Sequence, residues 1–358
     1  VVVLAVAWVL SIFSGLLVLE LCIFMPLNTN FVSMATHFFG RWGQYFTWAL
    51  YIFLFYSLTV AYAAGGGGII SLFFKKKIAH GLGVCLFSGL LGLVVFVGTK
   101  AVDRFNRICM GGLFVTFFLF IIFGVANIDH RLLTKLNWKS AYLPLPVIFT
   151  SFGYQGIIPS IAVYLRKNAY KVRVAVFIGT TIPFVLYLLW EYLIMGIVPT
   201  DGPEGLIAAG LKGETAVYPL RNILKNKYIY LVGQFFSLLA LVTSFLGVTL
   251  ALIDFLSDGF NRCTFGRNKL CIWSLAFIPP TLIAILFPSI FLLALGFAGG
   301  IGCALLLGLL PILMVWKGRS TGQITKKMYQ LQGGKTLLLL LAVCIMLVVS
   351  IEFMGVVR

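Results

Sequence analysis

Ten runs of about 20 apolar residues recur along this chain, and the short segments between them hold most of its charge. A helix of that length spans the ~30 Å of hydrocarbon in a bilayer. In lipid every backbone donor and acceptor must be satisfied within the structure, which leaves helices or a closed barrel. The runs lack the every-other-residue alternation of barrel strands, so the sequence predicts an all-α polytopic membrane protein in one transmembrane domain, residues 1–358. The predicted spans are 1–25, 42–64, 79–98, 108–126, 144–162, 172–198, 228–256, 270–287, 289–315 and 335–356. Between the sixth and seventh, the stretch PEGLIAAGLKGETAVY predicts a short surface helix.

Composition closes the soluble alternatives. Hydrophobic residues make up 61% of the chain and charged residues 10%, where a soluble domain carries about a quarter charged. The net charge of +17 would suggest a nucleic-acid partner in a soluble protein, but the basic residues sit in short loops without interleaved aromatics, which excludes that partner. Alternate loops hold 16 and 10 of the Lys and Arg residues, with Arg358 at the end raising the second set to 11, and the richer set defines the cytoplasmic side. Lys75, Lys76 and Lys77 run against this bias. Val1 then lies outside, and one further span is expected ahead of it. The seven cysteines show no CxxC spacing and read as small buried apolar residues, with no metal site and no cofactor implied.

The fifth span, LPLPVIFTSFGYQGIIPSIAVYL, holds Pro144, Pro146, Gly153, Gly156 and Pro159. Pro159 has no amide hydrogen for the carbonyl of Gln155, and two glycines make the backbone ahead of it permissive. One proline in a span reads as a packing kink. Together with Ser151, Tyr154 and Gln155 in the gap, the pattern predicts a break at Gly153, Gly156 and Pro159 that meets a ligand, as broken helices do in secondary transporters. Gly65, Gly66, Gly67 and Gly68 in the second span are unfavourable in a helix unless backbones approach closely there. Thr243, Ser244 and Gly247 in the seventh span fit helix packing equally well.

Four carboxylates fall within spans: Glu20, Glu191, Asp254 and Glu352. Each lies towards a span end and fits a solvated interfacial position. If one couples protons, Glu20, Glu191 and Asp254 are the candidates. No Lys or Arg falls in a span core, so permanent charge pairs in the bundle are not expected. His37, His80 and His130 fall in or beside loops. HExxH, GxSxG and paired acids at catalytic spacing are absent, so no enzyme and no catalytic residue is predicted. An uncoupled channel or facilitator stays open as an alternative to a carrier.

The segments LPVIFTSFGYQGIIPSI, IGTTIPFVLYLLWEYLIMGIVP, VTSFLGVTLALIDFLSDGF and IPPTLIAILFPSIFLLALGFAGG, with LTVAYAAGGGG, resemble the aromatic and hydroxy amino acid permeases, above all their tyrosine-specific members. The resemblance covers nearly the whole chain. It implies a leucine-transporter-type inverted-repeat fold of the amino acid/polyamine/organocation superfamily. The ten spans become helices two to eleven, and the first helix, which carries a second broken segment, is not in this sequence. It also implies a bacterial inner-membrane proton symporter for an aromatic amino acid, tyrosine or tryptophan, working by alternating access; other neutral amino acids are the alternative. Carried onto this sequence, the substrate site is Phe149, Thr150, Ser151, Phe152, Gly153, Tyr154 and Gln155, walled by Tyr62, Gly65, Gly66, Thr243, Ser244 and Gly247. The family often has His where this chain has Gln155, which can hydrogen-bond but not titrate.

Overall fold

The computed structural model describes residues 1–27, 29–74, 78–134, 142–212, 214–223, 227–260, 268–324 and 329–357. Lys75, Lys76, Lys77, Lys135, Lys139, Lys225, Arg262, Arg267, Lys326, Lys327, Arg358 and Cys263 lie outside the described residues.

All regular structure among the described residues is helical. In chain order the helices are α1 (Val2–Phe24), α2 (Phe31–Phe73), α3 (His80–Val97), α4 (Thr99–Gly124), α5 (His130–Leu133), α6 (Leu145–Thr150), α7 (Ile158–Tyr164), α8 (Ala169–Ile197), α9 (Leu206–Leu211), α10 (Leu220–Ile223), α11 (Lys227–Phe260), α12 (Lys269–Leu286), α13 (Ile290–Phe297), α14 (Leu310–Ser320) and α15 (Gly334–Val357). Among the described residues ten helical segments are long and apolar enough to cross a membrane, and they match the ten predicted spans in order. The short helix expected after the sixth span is α9.

Two spans start earlier than predicted. α4 begins at Thr99, and its first turns carry exposed charge, including the Asp103–Arg107 pair one turn apart. α2 begins at Phe31, so His37 is helical rather than in a loop. Asn30 and Ser33 start α2 by a reciprocal exchange: the Ser33 amide donates to Asn30 Oδ1 (2.9 Å) and the Asn30 amide to Ser33 Oγ (2.8 Å). The helix turns a corner at Gly40, whose φ of 66° and ψ of −152° suit a residue without a Cβ.

The chain divides into two compact units. One comprises Val1–Leu54, Asn137–Leu188 and Leu295–Arg358; the other comprises Phe55–Leu136 and Leu189–Ala294. In the first unit, α1 packs on α6, α7 and α14, and a wide π-helical stretch, Ala298–Leu309, packs on α6, α14 and α15. α15 turns Leu339, Leu340, Val343, Met346 and Leu347 outward, each between 46 and 59% exposed. That spacing makes an apolar stripe whose solvent is hydrocarbon.

In the second unit α4 packs along α11, and α3 against α12. Its core holds Phe87, Phe245 and Phe277, with Trp273 stacked on Phe277 at 5.0 Å and donating through Nε1 to the Gly92 carbonyl at 2.8 Å. The four glycines of α2 stay helical, and a Cβ at Gly66 would lie 2.5 Å from the Phe87 ring. The close approach expected of these glycines is present, between α2 and α3.

Candidate functional site

The fifth span is interrupted at 151–157, a stretch that takes in Gly153 and Gly156 but not Pro159. α6 ends at Thr150, residues 151–154 form turns, Gln155–Ile157 make one 3₁₀ turn, and α7 begins at Ile158. Pro159 occupies the second position of α7, where a missing amide hydrogen leaves no intrahelical bond unmade. The amides of Ser151, Phe152 and Gly153 still bond back to Ile148, Phe149 and Thr150. Those of Tyr154, Gln155 and Gly156 have no backbone acceptor among the described residues. They fall at the start of the second half-helix, the positive end of its dipole.

Gly153 serves space rather than backbone freedom. Neither Gly153 nor Gly156 has a positive φ, which corrects the expectation of permissive dihedrals. A Cβ at Gly153 would lie 3.1 Å from the Thr150 carbonyl and 3.2 Å from Cys303 Sγ, tighter than ordinary contact. A Cβ at Gly156 would meet nothing nearer than Tyr51 Oη at 4.0 Å. Ser151, Gly153 and Gly156 are exposed, while Phe149, Phe152 and Gln155 are buried. The break therefore presents backbone and small groups, and turns its phenylalanines inward.

Two neighbours hold it in place. From α1, the Ser11 carbonyl accepts from Tyr154 Oη (3.0 Å) and from Gln155 Nε2 (3.5 Å), and a Cβ at Gly15 would overlap the Tyr154 hydroxyl. Gln155 Oε1 is buried with no hydrogen-bond partner. From the π-helical side, Thr150 Oγ1 lies 3.2 Å from the Leu295 carbonyl and 3.3 Å from that of Pro146, and donates to this pair. A Cβ at Gly299 would overlap the Pro146 carbonyl. Ser14 Oγ donates to the Leu307 carbonyl within the π-helical stretch. π-turns are rare and gather at functional sites. Tyr187 closes a further side, its ring 5.6 Å from that of Phe152 and its hydroxyl 3.3 Å from the Ser151 carbonyl.

Ser11, Ser14, Gly15, Tyr187, Gly299 and the π-helical stretch are the parts that sequence reasoning missed. The signal available was the run AGGIG at 298–302, small residues inside an apolar span.

The remaining predicted site residues belong to the second unit. Gly65 is buried, its would-be Cβ 3.0 Å from the Phe291 ring, and Tyr62 is half-buried on the same helix. Gly65 and Gly68 also line a cavity of about 290 Å³ with Ser71, His80, Lys212 and Glu214. Thr243 and Ser244 are half-buried on α11, and Thr243 Oγ1 donates to the Ala240 carbonyl at 3.0 Å; Gly247 is exposed, with nothing near its missing Cβ.

The carboxylates separate by environment. Asp254 is exposed on α11, as an interfacial group would be, and Glu191 is half-buried on α8. Glu352 is buried, with its carboxylate against the backbone of Gly296 and Gly300. Glu20 is 1% exposed and takes a bidentate grip from Arg319, Nε to Oε1 at 2.7 Å and Nη2 to Oε2 at 2.6 Å. The Leu331 amide donates to the same Oε2 at 2.9 Å, and Arg319 donates to the Leu331 carbonyl at 3.0 Å. This overturns two expectations: neither Glu20 nor Glu352 is solvated, and the bundle does hold a charge pair. Arg319 reaches it from the last turn of α14, outside the apolar core of its span, so the pair was invisible to a search of span interiors. No group of three or more His, Cys, Asp or Glu residues is placed to hold a metal among the described residues.

A many-spanning helical protein with a span broken at glycines fits the class of helical membrane transporters. The chain belongs to the tryptophan/tyrosine permease family, whose model matches residues 1–352. It is 34% identical to a tryptophan-specific transport protein of Pseudomonas aeruginosa, over 87% of this chain and 77% of that one. It is 32% identical to tyrosine-specific transport system 2 of Haemophilus influenzae, over 95% and 86% respectively, and 29% identical to the low affinity tryptophan permease of Escherichia coli, over 93% and 82%. The family consists of transport permeases for aromatic amino acids, not enzymes. With ten apolar helices, the chain takes its place among the multi-pass permeases of the bacterial inner membrane.

Proposed function

We propose that the chain is a secondary active importer of an aromatic amino acid, tyrosine first and tryptophan second, driven by proton symport on a leucine-transporter-type inverted-repeat fold. The observation that carries the reading is the break at 151–157, which leaves the amides of Tyr154, Gln155 and Gly156 uncommitted in a family of aromatic amino acid permeases. The substrate carboxylate meets those amides, where the helix dipole favours an anion. Exposed Ser151, Gly153 and Gly156 let it approach the backbone. Its ammonium group meets carbonyl oxygens within the break.

Tyr62, Gly65, Thr243, Ser244 and Gly247 are proposed as further substrate contacts, and Asp254 and Glu191 as the coupling carboxylates. Glu20, held by Arg319, is the least suited of the three original candidates because its carboxylate oxygens are already engaged. The charge bias supports a cytoplasmic position for the turn between α7 and α8 and for the C-terminal end of α14.

The test is uptake of radiolabelled tyrosine and tryptophan into proteoliposomes with an imposed proton gradient. Saturable accumulation against the amino acid gradient, abolished by a protonophore, is expected. Equilibration without accumulation would mean a facilitator, and accumulation of branched or small neutral amino acids in preference would move the substrate assignment.

A further inference from the structure

We infer that the first unit carries a binding site for an anionic phospholipid of the cytoplasmic leaflet, with the lipid phosphate on Arg173 and one acyl chain in a slot between α1 and α8. The slot measures about 250 Å³; Ile12 and Leu16 of α1 form one wall, and Val174, Phe177 and Ile178 of α8 form the other. Tyr170 and Arg173 stand at its mouth, and Arg173 is the one charged residue in its lining.

The fit to a phospholipid rests on three matched features. The guanidinium at the mouth is held in place, 5.8 Å from the centroid of the Tyr329 ring, and so offers a fixed fork of donors to a phosphate. The mouth lies at interfacial depth: Tyr170 in its lining is 73% exposed, as aromatic residues at headgroup level are.

Chain length matches as well. The outward apolar residues of α8 continue from Val174 through Phe177 and Ile178 to Ile182. That row extends about 13 Å from Arg173, close to the depth of one leaflet.

Charge selects the headgroup. Arg166 in the turn before α8 and Lys171 in the first turn of α8 are exposed, and Arg166 and Lys167 hold left-handed dihedrals (φ 51° and 55°) while Lys167 Nζ donates to the Met25 carbonyl. A tight basic turn facing the anionic inner leaflet draws acidic lipid. A carboxylate is absent from the lining of the slot, and Glu20, one turn beyond Leu16 on α1, is committed to Arg319. An apolar slot under a cation suits a lipid and gives a free inorganic anion only half a site. The inference uses the charge-bias orientation but is independent of which amino acid is carried.

The experiment is native mass spectrometry of the full chain, purified in mild detergent and titrated with dioleoyl phosphatidylglycerol or dioleoyl phosphatidylcholine. Preferential retention of phosphatidylglycerol is expected. Arg173→Gln should weaken it about fivefold, the effect of one interfacial charge. Arg166→Gln, which removes a charge from the turn before α8, outside the slot, should leave retention close to the parent. Val174→Trp, at an exposed position, should fill the slot and lose both lipids while monodisperse elution shows the fold intact. Equal retention of the two lipids, equal losses from the two arginine variants, undiminished binding in Val174→Trp, or displacement by soluble glycerol phosphate would each overturn the site.

Discussion

Removing the Glu20 carboxylate by Glu20→Ala should destabilise the first unit by about 3–5 kcal/mol, the range for stranding one partner of a buried ion pair. The geometry sets the size. Glu20 has a side chain of 0% exposure, and the variant leaves the Arg319 guanidinium, itself 12% exposed, without its two charge-assisted bonds. It also leaves the Leu331 amide without its acceptor, so the segment after α14 loses an anchor on α1. Arg319→Ala should incur a loss of the same order by leaving an unpaired buried carboxylate.

The pair matters less than either stranded charge, because its mutual attraction is offset by desolvation. The double replacement Glu20→Leu with Arg319→Met should therefore recover most of the loss seen in each single alanine variant. Reversible unfolding in mixed micelles by sodium dodecyl sulfate titration reads all five proteins, the parent and the double alanine variant included. The Glu20→Ala, Arg319→Ala cycle should give a coupling energy of more than about 1.5 kcal/mol, within the range for residues in one network. Single variants that lose less than about 1 kcal/mol, the level of an exposed pair, or strictly additive losses would refute the reasoning.

Three further outcomes follow from the packing of the same helices. Gly153→Leu should abolish amino acid uptake while membrane insertion and yield stay at the parent level, because a side chain there meets the Thr150 carbonyl and Cys303; normal uptake would remove the break from the site. Gly299→Val should lower thermal stability in detergent far more than Gly89→Val, since the first overlaps the Pro146 carbonyl and the second has open space within 4 Å; equal shifts would contradict the packing of α6 on the π-helical stretch. Asp254→Asn and Glu191→Gln should each be assayed for concentrative uptake and for exchange. A coupling carboxylate loses the first and keeps the second, and an unchanged pH profile in both variants would dismiss them.

The sequence alone determined the ten spans and the position of the break, because both obey local constraints. In hydrocarbon each span satisfies its own backbone hydrogen bonds, so about 20 apolar residues suffice to specify a helix without knowledge of its neighbours. Pro159 acts on the carbonyl four residues back, so its effect is written in adjacent residues. The same reasoning misjudged α2 and α4, whose polar first turns are helical outside the apolar window.

Only the tertiary structure decided what surrounds the break. Gly153 looked like a backbone hinge and proved to be clearance for Cys303, 150 positions away. Phe149 and Phe152 read from the resemblance as substrate-site residues, and packing buries them and leaves Ser151, Gly153 and Gly156 exposed. Glu20 read as an interfacial acid until Arg319, 299 residues later in the chain, was found holding it. These outcomes depend on which helix faces meet, and that is fixed by the shapes and volumes of side chains from distant segments. A hydropathy pattern records that a face is apolar and does not record which other face it will meet.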